Sequence, residues 1–133
     1  MMTGATSYTK TQTQTASKER ILLLLLNAAR KQMFLADGEL SMFRPSHACD
    51  HVRKAIDIIA ELRVTLDHAK APDLCHQLDD VYGFVLERLH VVLRGERGAL
   101  NDARKVFTPI VEAFEQALGA PGSPVGSSAG APK

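Results

Sequence analysis

A run of six aliphatic residues, from Ile21 to Leu26, constrains the fold of this chain more than any other feature. Successive residues of an α-helix lie about 100° apart around the axis, so a helical run of this length points in every direction. One face of a helix bundle cannot shield all of these side chains, and part of the run is expected to meet another segment or a partner. The run is also far shorter than the roughly 20 apolar residues that cross a bilayer, so the sequence predicts no membrane insertion.

Helical spacing of apolar residues recurs in four segments of the chain. Clean alternation of apolar and polar residues is absent, and no hairpin-type dipeptide separates the segments, so no strands are expected. The short connections make consecutive helices antiparallel, and the sequence predicts an all-α fold, an antiparallel up-down four-helix bundle. The predicted helices run from after Ser17 to Asp37, from after Ser46 to about His68, from Pro72 to about Arg94, and from Asn101 or Asp102 to Gly119.

The two ends of the chain differ in composition from its centre. Residues 1–17 are nearly uncharged and carry threonine at every second position from Thr9 to Thr15, which favours an extended N-terminal arm. Residues 119–133 are almost entirely Gly, Ala, Pro and Ser, which is typical of a disordered C-terminal tail. The predicted organisation is therefore an arm over 1–17, a helical bundle over 18–118 and a tail over 119–133.

Proline at position 109 falls well inside the predicted fourth helix. It lacks the backbone N–H of a helical residue, and its ring crowds the preceding turn. We expect either a kink at Pro109 or a new helix start with Thr108 as its cap.

Several apolar residues exceed what the core-facing stripes of the predicted helices require. Ile56 and Ile58 widen the stripe of the second helix, while Phe84 and Val91, seven residues apart, lie well outside the stripe of the third. An exposed apolar strip of this kind usually marks an interaction site. The chain's own arm or the helix of a partner could cover it.

The charge balance argues against nucleic acid as a partner. Sixteen Lys and Arg face fifteen Asp and Glu, for a net charge of +1, and no block of like charges could follow a phosphate backbone. The two cysteines are too few for a disulfide framework, and the first residues lack the layout of a secretory signal. These features predict a cytoplasmic protein with reduced thiols.

The residues able to carry chemistry do not form a convincing set. His47 and His51 stand one helical turn apart, but a second pair of zinc ligands is not evident. Glu87 and His90 have the Glu-x-x-His spacing of carboxylate-bridged bundles, without a matching element on another helix. We therefore expect no metal, no cofactor and no enzymatic activity.

Three fragments, in their order and spacing, resemble the FliS-type flagellar export chaperones over roughly residues 8–118. They are Tyr8 followed by Thr15-Ala16-Ser17 and ILLLLLNAA, the helix KAIDIIAELRVTLD from Lys54 to Asp67, and Leu78, Val81 and Tyr82 with ERL at 87–89. The chain departs from the family pattern at Lys18, at Gly83 and Phe84, at Pro109, and at Phe114, where the family has tryptophan.

The resemblance implies a chaperone that binds the C-terminal helical segment of flagellin and prevents premature polymerisation before secretion. It also implies contacts with components of the flagellar export apparatus, and it points to Tyr8, which is expected to rest near the leucine run when no partner is bound. Together with the surplus apolar residues, it gives a set of candidate partner-binding residues: Tyr8, Leu23, Leu26, Ile56, Ile58, Phe84 and Val91.

Two other interpretations stay open. A self-associating helical scaffold without a flagellin client would pair its surplus apolar residues with those of a second copy. A metal-dependent bundle enzyme would use His47 and His51 as ligands. A chaperone of this kind is expected to be a monomer or a weak dimer.

Overall fold

A computed structural model describes the backbone from Thr3 to Gly119 and the side chains of residues 18–118. The helices are α1 (Thr3–Ser41), α2 (Pro45–Val64), α3 (Pro72–Leu93) and α4 (Gly98–Phe114), followed by a π-helical turn (Glu115–Gly119). The helices pack in a ring, because α1 and α3 each contact both α2 and α4. No strand occurs in the described backbone. The predicted all-α four-helix bundle is confirmed.

The N-terminal segment differs from its prediction. The backbone of residues 3–17 is helical and continuous with the rest of α1, so the prediction of an extended arm, and of a helix start at Ser17, is wrong. Threonine disfavours a helix by only about 0.7 kcal/mol or less per residue, and extending an existing helix is far easier than starting one. The leucine run therefore supports a helix that continues into the threonine-rich segment. The side chain of Tyr8 and the predicted tail from residue 120 lie outside the described residues.

The core is formed by one stripe of side chains from each helix, and α1 and α2 each contribute two alanines to it. Alanine on both helices permits a close approach of their backbones. Tyr82 and Phe107 are the largest side chains enclosed, and burial raises the pKa of Tyr82 to about 12. The stripes comprise Leu26, Ala29, Met33 and Ala36; Ala48, Val52, Ala55, Ile59 and Leu62; Leu78, Tyr82, Val85, Leu89 and Val92; and Ala99, Leu100, Ala103, Phe107 and Val111.

Pro109 is accommodated within α4. The helix runs without interruption from Gly98 to Phe114, so the predicted new start with Thr108 as its cap is wrong. Phe107 and Val111, on either side of the proline, are both completely buried. Because tertiary packing of an apolar face supplies most helix stability, these two anchors hold the helix together across the missing hydrogen bond. The predicted kink stays a prediction.

The end of α3 is a tight reversal built on glycine. Gly95 has a φ of 108° and donates its N–H to the carbonyl of Val92, while the N–H of Glu96 bonds to the carbonyl of Val91. These two bonds define a Schellman motif. The motif turns the chain back towards the last turn of α3, and Val91 is only 3% exposed.

The end of α1 uses the same motif with a phenylalanine in the glycine position. Phe43 has a φ of 58° and donates its N–H to the carbonyl of Leu40, while the N–H of Arg44 bonds to the carbonyl of Glu39. A bulky residue with this left-handed backbone is strained. The Phe43 side chain is 86% exposed, so packing within the bundle does not compensate for the strain.

Substitutions at these two equivalent positions should change stability in opposite directions. Phe43→Gly relieves left-handed strain and loses little packing, so the free energy of unfolding should rise by about 1 kcal/mol. Gly95→Ala finds no atom within 4 Å of the new Cβ but adopts an unfavourable φ, so the free energy of unfolding should fall by about 1–2 kcal/mol. Thermal melting followed by circular dichroism measures both. A Phe43→Gly variant that melts below the wild type would reveal a stabilising contact of this ring.

Candidate functional site

A groove with a volume of about 450 Å³ lies between α1 and α4. Its α1 side carries residues at intervals of three and four, which places them on one face of the helix. Its α4 side carries two residues one turn apart. We call it the α1–α4 groove, and it is lined by Asn27, Arg30, Lys31, Phe34, Arg104 and Thr108.

Cations surround an exposed aromatic ring in the α1–α4 groove. Phe34 is 61% exposed, and the guanidinium carbon of Arg104 lies 5.8 Å from the centre of its ring, within the range of a cation–π interaction. Arg104 also pairs with Asp37 at 3.2 Å. Lys31 is exposed and forms no ion pair among the residues whose side chains are described. The groove therefore presents one aromatic ring among cationic and polar side chains.

Ion pairing also fixes the other end of this helix pair. Arg30 lies 3.2 Å from Glu115 in the π-helical turn and hydrogen-bonds to Asn27. Both side chains of the ion pair are partly exposed, and such a pair is worth about 1 kcal/mol or less. Its main effect is to set the register of α4 against α1, and thereby the width of the groove.

The outward part of the leucine run continues the α1–α4 groove towards the N-terminus. Leu24 lies seven residues before Lys31, and Leu23 lies seven residues before Arg30, so each shares a face with a groove residue. Leu24 is 61% exposed and Ile21 is 54% exposed, whereas Leu23 is half-buried. The excess of apolar residues predicted for the run is thus present on the surface, beside the groove.

Ile56 and Ile58 occupy the seams between helices rather than a shared strip. Both are half-buried and pack against the core. Ile56 lies seven residues before Arg63, which hydrogen-bonds to α3, while Ile58 lies seven residues after His51, which hydrogen-bonds to α1. The two side chains therefore point to opposite sides of α2.

Two of the predicted partner-binding residues are core residues. Leu26 is completely buried, and Val91 is 3% exposed within the same core cluster. The expectation that Val91 lies outside the core is wrong, because Val91 belongs to the core cluster that residues of all four helices form. Phe84, seven residues earlier on the same face of α3, is 44% exposed and remains on the surface. Within residues 18–118, the predicted partner-binding residues are divided between the surface and the core.

The departure from the family pattern at Gly83 has a local physical reason. A Cβ on this residue would lie 3.0 Å from a guanidinium nitrogen of Arg63. That guanidinium hydrogen-bonds to Asp79 at 2.7 Å, which lowers the pKa of the carboxyl group. Glycine leaves the space that this link between α2 and α3 requires.

Two of the five histidines, His51 and His90, form hydrogen bonds in the described part of the chain. His51 lies 2.7 Å from the side-chain oxygen of Gln32, and the Nδ1 of His90 lies 2.8 Å from the carbonyl of Leu86. Within residues 3–119, no three His, Cys, Asp or Glu residues meet as they would around a metal ion. None of the helices in this range has the length and apolar character required to span a membrane.

The α1–α4 groove was not identified from the sequence. Arg30, Lys31 and Phe34 fall within about one turn, a cluster of cations beside an aromatic that could have drawn attention to this face. Arg104 lies 70 positions further along and carries no local signal of its own. Only the antiparallel packing of α4 on α1 reveals the complete groove.

Comparison with known proteins supplies one clear finding. The family model described as "Flagellar protein FliS" matches residues 1–121, which is most of the chain. No curated protein sequence matches the chain at a significant level.

Proposed function

This chain belongs to the FliS family of flagellar export chaperones, and we propose that it binds the C-terminal helical segment of flagellin in the cytoplasm and keeps it from polymerising before secretion. The observation that carries the proposal is the α1–α4 groove with its apolar extension. We assign the flagellin segment to this surface. Components of the flagellar export apparatus are further partners under the same proposal.

The dimensions of the surface suit an amphipathic helix. From Ile21 to Phe34 the helix axis advances about 20 Å, which corresponds to nearly four turns of a client helix lying alongside. Ile21, Leu24 and Phe34 supply exposed apolar side chains at intervals along this length. A client with apolar residues at i, i+3, i+4 and i+7 would meet them in succession.

The charges of the groove favour one composition of the client. Lys31 is exposed and free of ion pairs among residues 18–118, and it lies between the apolar positions Leu24 and Phe34. An acidic side chain of the client, or the negative end of its helix dipole, is stabilised beside this ammonium group. The groove therefore favours a helix whose apolar face is flanked by an acidic residue.

The exposed apolar side chains offset the ordering of the client. A segment that is disordered when free loses conformational entropy on binding, which reduces the gross interaction by roughly 2–5 kcal/mol. Fully burying one large aliphatic or aromatic side chain contributes about 1.5–3 kcal/mol. Ile21, Leu24 and Phe34, each more than half exposed, together can balance this cost. Additional contacts by Phe84 and Tyr8 would raise the affinity. Both residues remain part of the proposed contact set.

Phe34→Asp tests the proposed site directly. The side chain is exposed, so the fold should be retained. A charge in place of this aromatic ring in the α1–α4 groove should weaken flagellin binding at least tenfold. Binding is measured by co-purification and calorimetry with flagellin from the same organism, with and without its C-terminal segment.

Val64→Asp is the matched control for this experiment. Val64 is 79% exposed at the C-terminal end of α2 and is not among the residues that line the groove. It should bind flagellin like the wild type. If full-length flagellin fails to bind the wild type, the chain is not its chaperone, and the scaffold interpretation takes its place. If Phe34→Asp binds normally, the client lies elsewhere on the bundle.

A further inference from the structure

The turn after α1 carries two exposed apolar side chains on a strained backbone. Phe43 has a φ of 58° and is 86% exposed, and Met42 before it is 62% exposed. The equivalent position in the turn after α3 is Gly95, which takes a positive φ without this strain. Strain of this kind is concentrated at functional positions, and packing within residues 18–118 does not offset it. We call Met42 and Phe43 the apolar tip.

One ion pair shows that the apolar tip and the α3–α4 turn, residues 94–97, lie at the same end of the bundle. Asp37 of α1 pairs with Arg104 of α4 at 3.2 Å, so these two residues are at one level. Phe43 follows Asp37 by six residues, and Arg97 precedes Arg104 by seven. Because α1 and α4 are antiparallel, both steps lead in the same direction, by about 9 and 10 Å. The apolar tip is therefore level with the α3–α4 turn.

Arginines give this end of the bundle a positive charge. Arg94 and Arg97 of the α3–α4 turn are exposed, and neither has an ion-pair partner within residues 18–118. Glu96 is the acidic residue between them, and Arg44, next to the apolar tip, pairs with Glu39 at 3.4 Å. The two unpaired guanidinium groups can therefore bind an external anion beside the tip.

The other end of the bundle has the opposite charge. α2 is 20 residues long, which separates its ends by about 30 Å. Val64 is 79% exposed at its C-terminal end, so an exposed apolar side chain alone does not distinguish the two ends of the bundle. In the α2–α3 connection and the start of α3, three aspartates without ion pairs within residues 18–118 stand against Lys70: Asp67, Asp73 and Asp80. An anionic surface attracts the end with the apolar tip and repels the other.

We propose that the apolar tip and the two unpaired arginines dock on a membrane surface that contains anionic phospholipid. Met42 and Phe43 enter the headgroup region, while Arg94 and Arg97 bind lipid phosphates. A lipid surface deforms around a protruding side chain, and a guanidinium group binds a phosphate through two parallel hydrogen bonds. This contact is peripheral and needs no spanning segment. None of the four residues lines the α1–α4 groove, so the proposal does not depend on the proposed function.

A single tryptophan tests the proposal, because the chain has none of its own. Phe43→Trp in the full chain, without flagellin, is titrated with vesicles of equimolar phosphatidylglycerol and phosphatidylcholine. Its emission should shift to shorter wavelength, because the indole leaves water for the headgroup region. Val64→Trp is the matched reporter at the other end of the bundle, and its emission should stay unchanged. Vesicles of phosphatidylcholine alone should shift neither reporter.

Co-sedimentation with the same vesicles separates the apolar and the charged contribution. Phe43→Gly, which relieves the strained backbone, should bind anionic vesicles roughly tenfold more weakly. Arg94→Gln combined with Arg97→Gln should weaken binding by roughly tenfold or more, and added salt should weaken binding of the wild type. Lys54→Gln combined with Lys105→Gln removes the same charge from exposed positions about 10 Å or more from this end. This control should bind nearly as well as the wild type.

Three results would contradict membrane docking by this end of the bundle. A wild type that does not sediment with anionic vesicles at low salt overturns the proposal, as does equal binding to phosphatidylcholine alone. Undiminished binding of Phe43→Gly, or an emission shift at Val64→Trp as large as that at Phe43→Trp, also overturns it.

Discussion

Leu26→Asp is expected to unfold the protein, whereas Leu24→Asp, two residues away in the same leucine run, is expected to leave it folded and unable to hold flagellin. Leu26 is completely buried in the core and Leu24 is 61% exposed. A buried carboxylate without a partner, together with the lost apolar packing, costs more than about 4 kcal/mol. A domain of this size is stable by only about 5–15 kcal/mol, so a large part of its stability is lost, and nearly all of it towards the lower end of that range.

Leu24→Asp leaves the core intact and changes only the surface. Its free energy of unfolding should stay within about 0.5 kcal/mol of the wild type. Flagellin binding should weaken at least tenfold, because the substitution replaces an apolar contact with a charge. Far-UV circular dichroism and thermal melting measure the fold, and calorimetry measures binding. A folded Leu26→Asp variant, or an unfolded Leu24→Asp variant, would mean that the Leu24 face of α1, and not the Leu26 face, packs against the core.

The leucine run shows what the spacing of apolar residues can and cannot predict. Six consecutive aliphatic residues reveal that some must be exposed, but their own spacing cannot say which. The rotation of α1 about its axis is set by the packing of its core stripe against distant residues of the other helices. The helical class and the antiparallel order were predictable from local spacing and short connections. The identity of the surface residues was not.

Helix ends were predicted less well, for related reasons. Isolated propensities favoured an extended arm up to Ser17 and a break at Pro109, yet α1 and α4 both continue through these positions. In each case a long packed helix tolerates a few residues of low helix propensity. Propensity rules applied to short segments predict that the same residues end the helix. Phe43 is the opposite case, because no propensity scale predicts phenylalanine at a left-handed helix end.

Val91→Asp and Phe84→Asp should behave as differently as the two leucine variants. The residues lie seven positions apart on one face of α3, so helical spacing alone treats them as equivalent. The structure separates them, with Val91 3% exposed and Phe84 44% exposed. Val91→Asp places a charge in the core cluster and should cost about 3–5 kcal/mol of stability, with a large fall in melting temperature.

Phe84→Asp should keep its far-UV signal and melt within a few degrees of the wild type, because more than a third of the ring already meets solvent. If the flagellin segment extends from the α1–α4 groove around the bundle to α3, this variant should also bind flagellin several-fold more weakly. Normal flagellin binding by Phe84→Asp would mean that the client contacts the α1–α4 groove and does not extend to α3. Small and equal losses of stability in the two variants would mean that Val91 is as exposed as Phe84, and that the pair forms one exposed strip as the spacing predicted. Gly95→Ala, which strains the reversal without adding a charge, should shift the melting temperature in the same direction as Val91→Asp but by less.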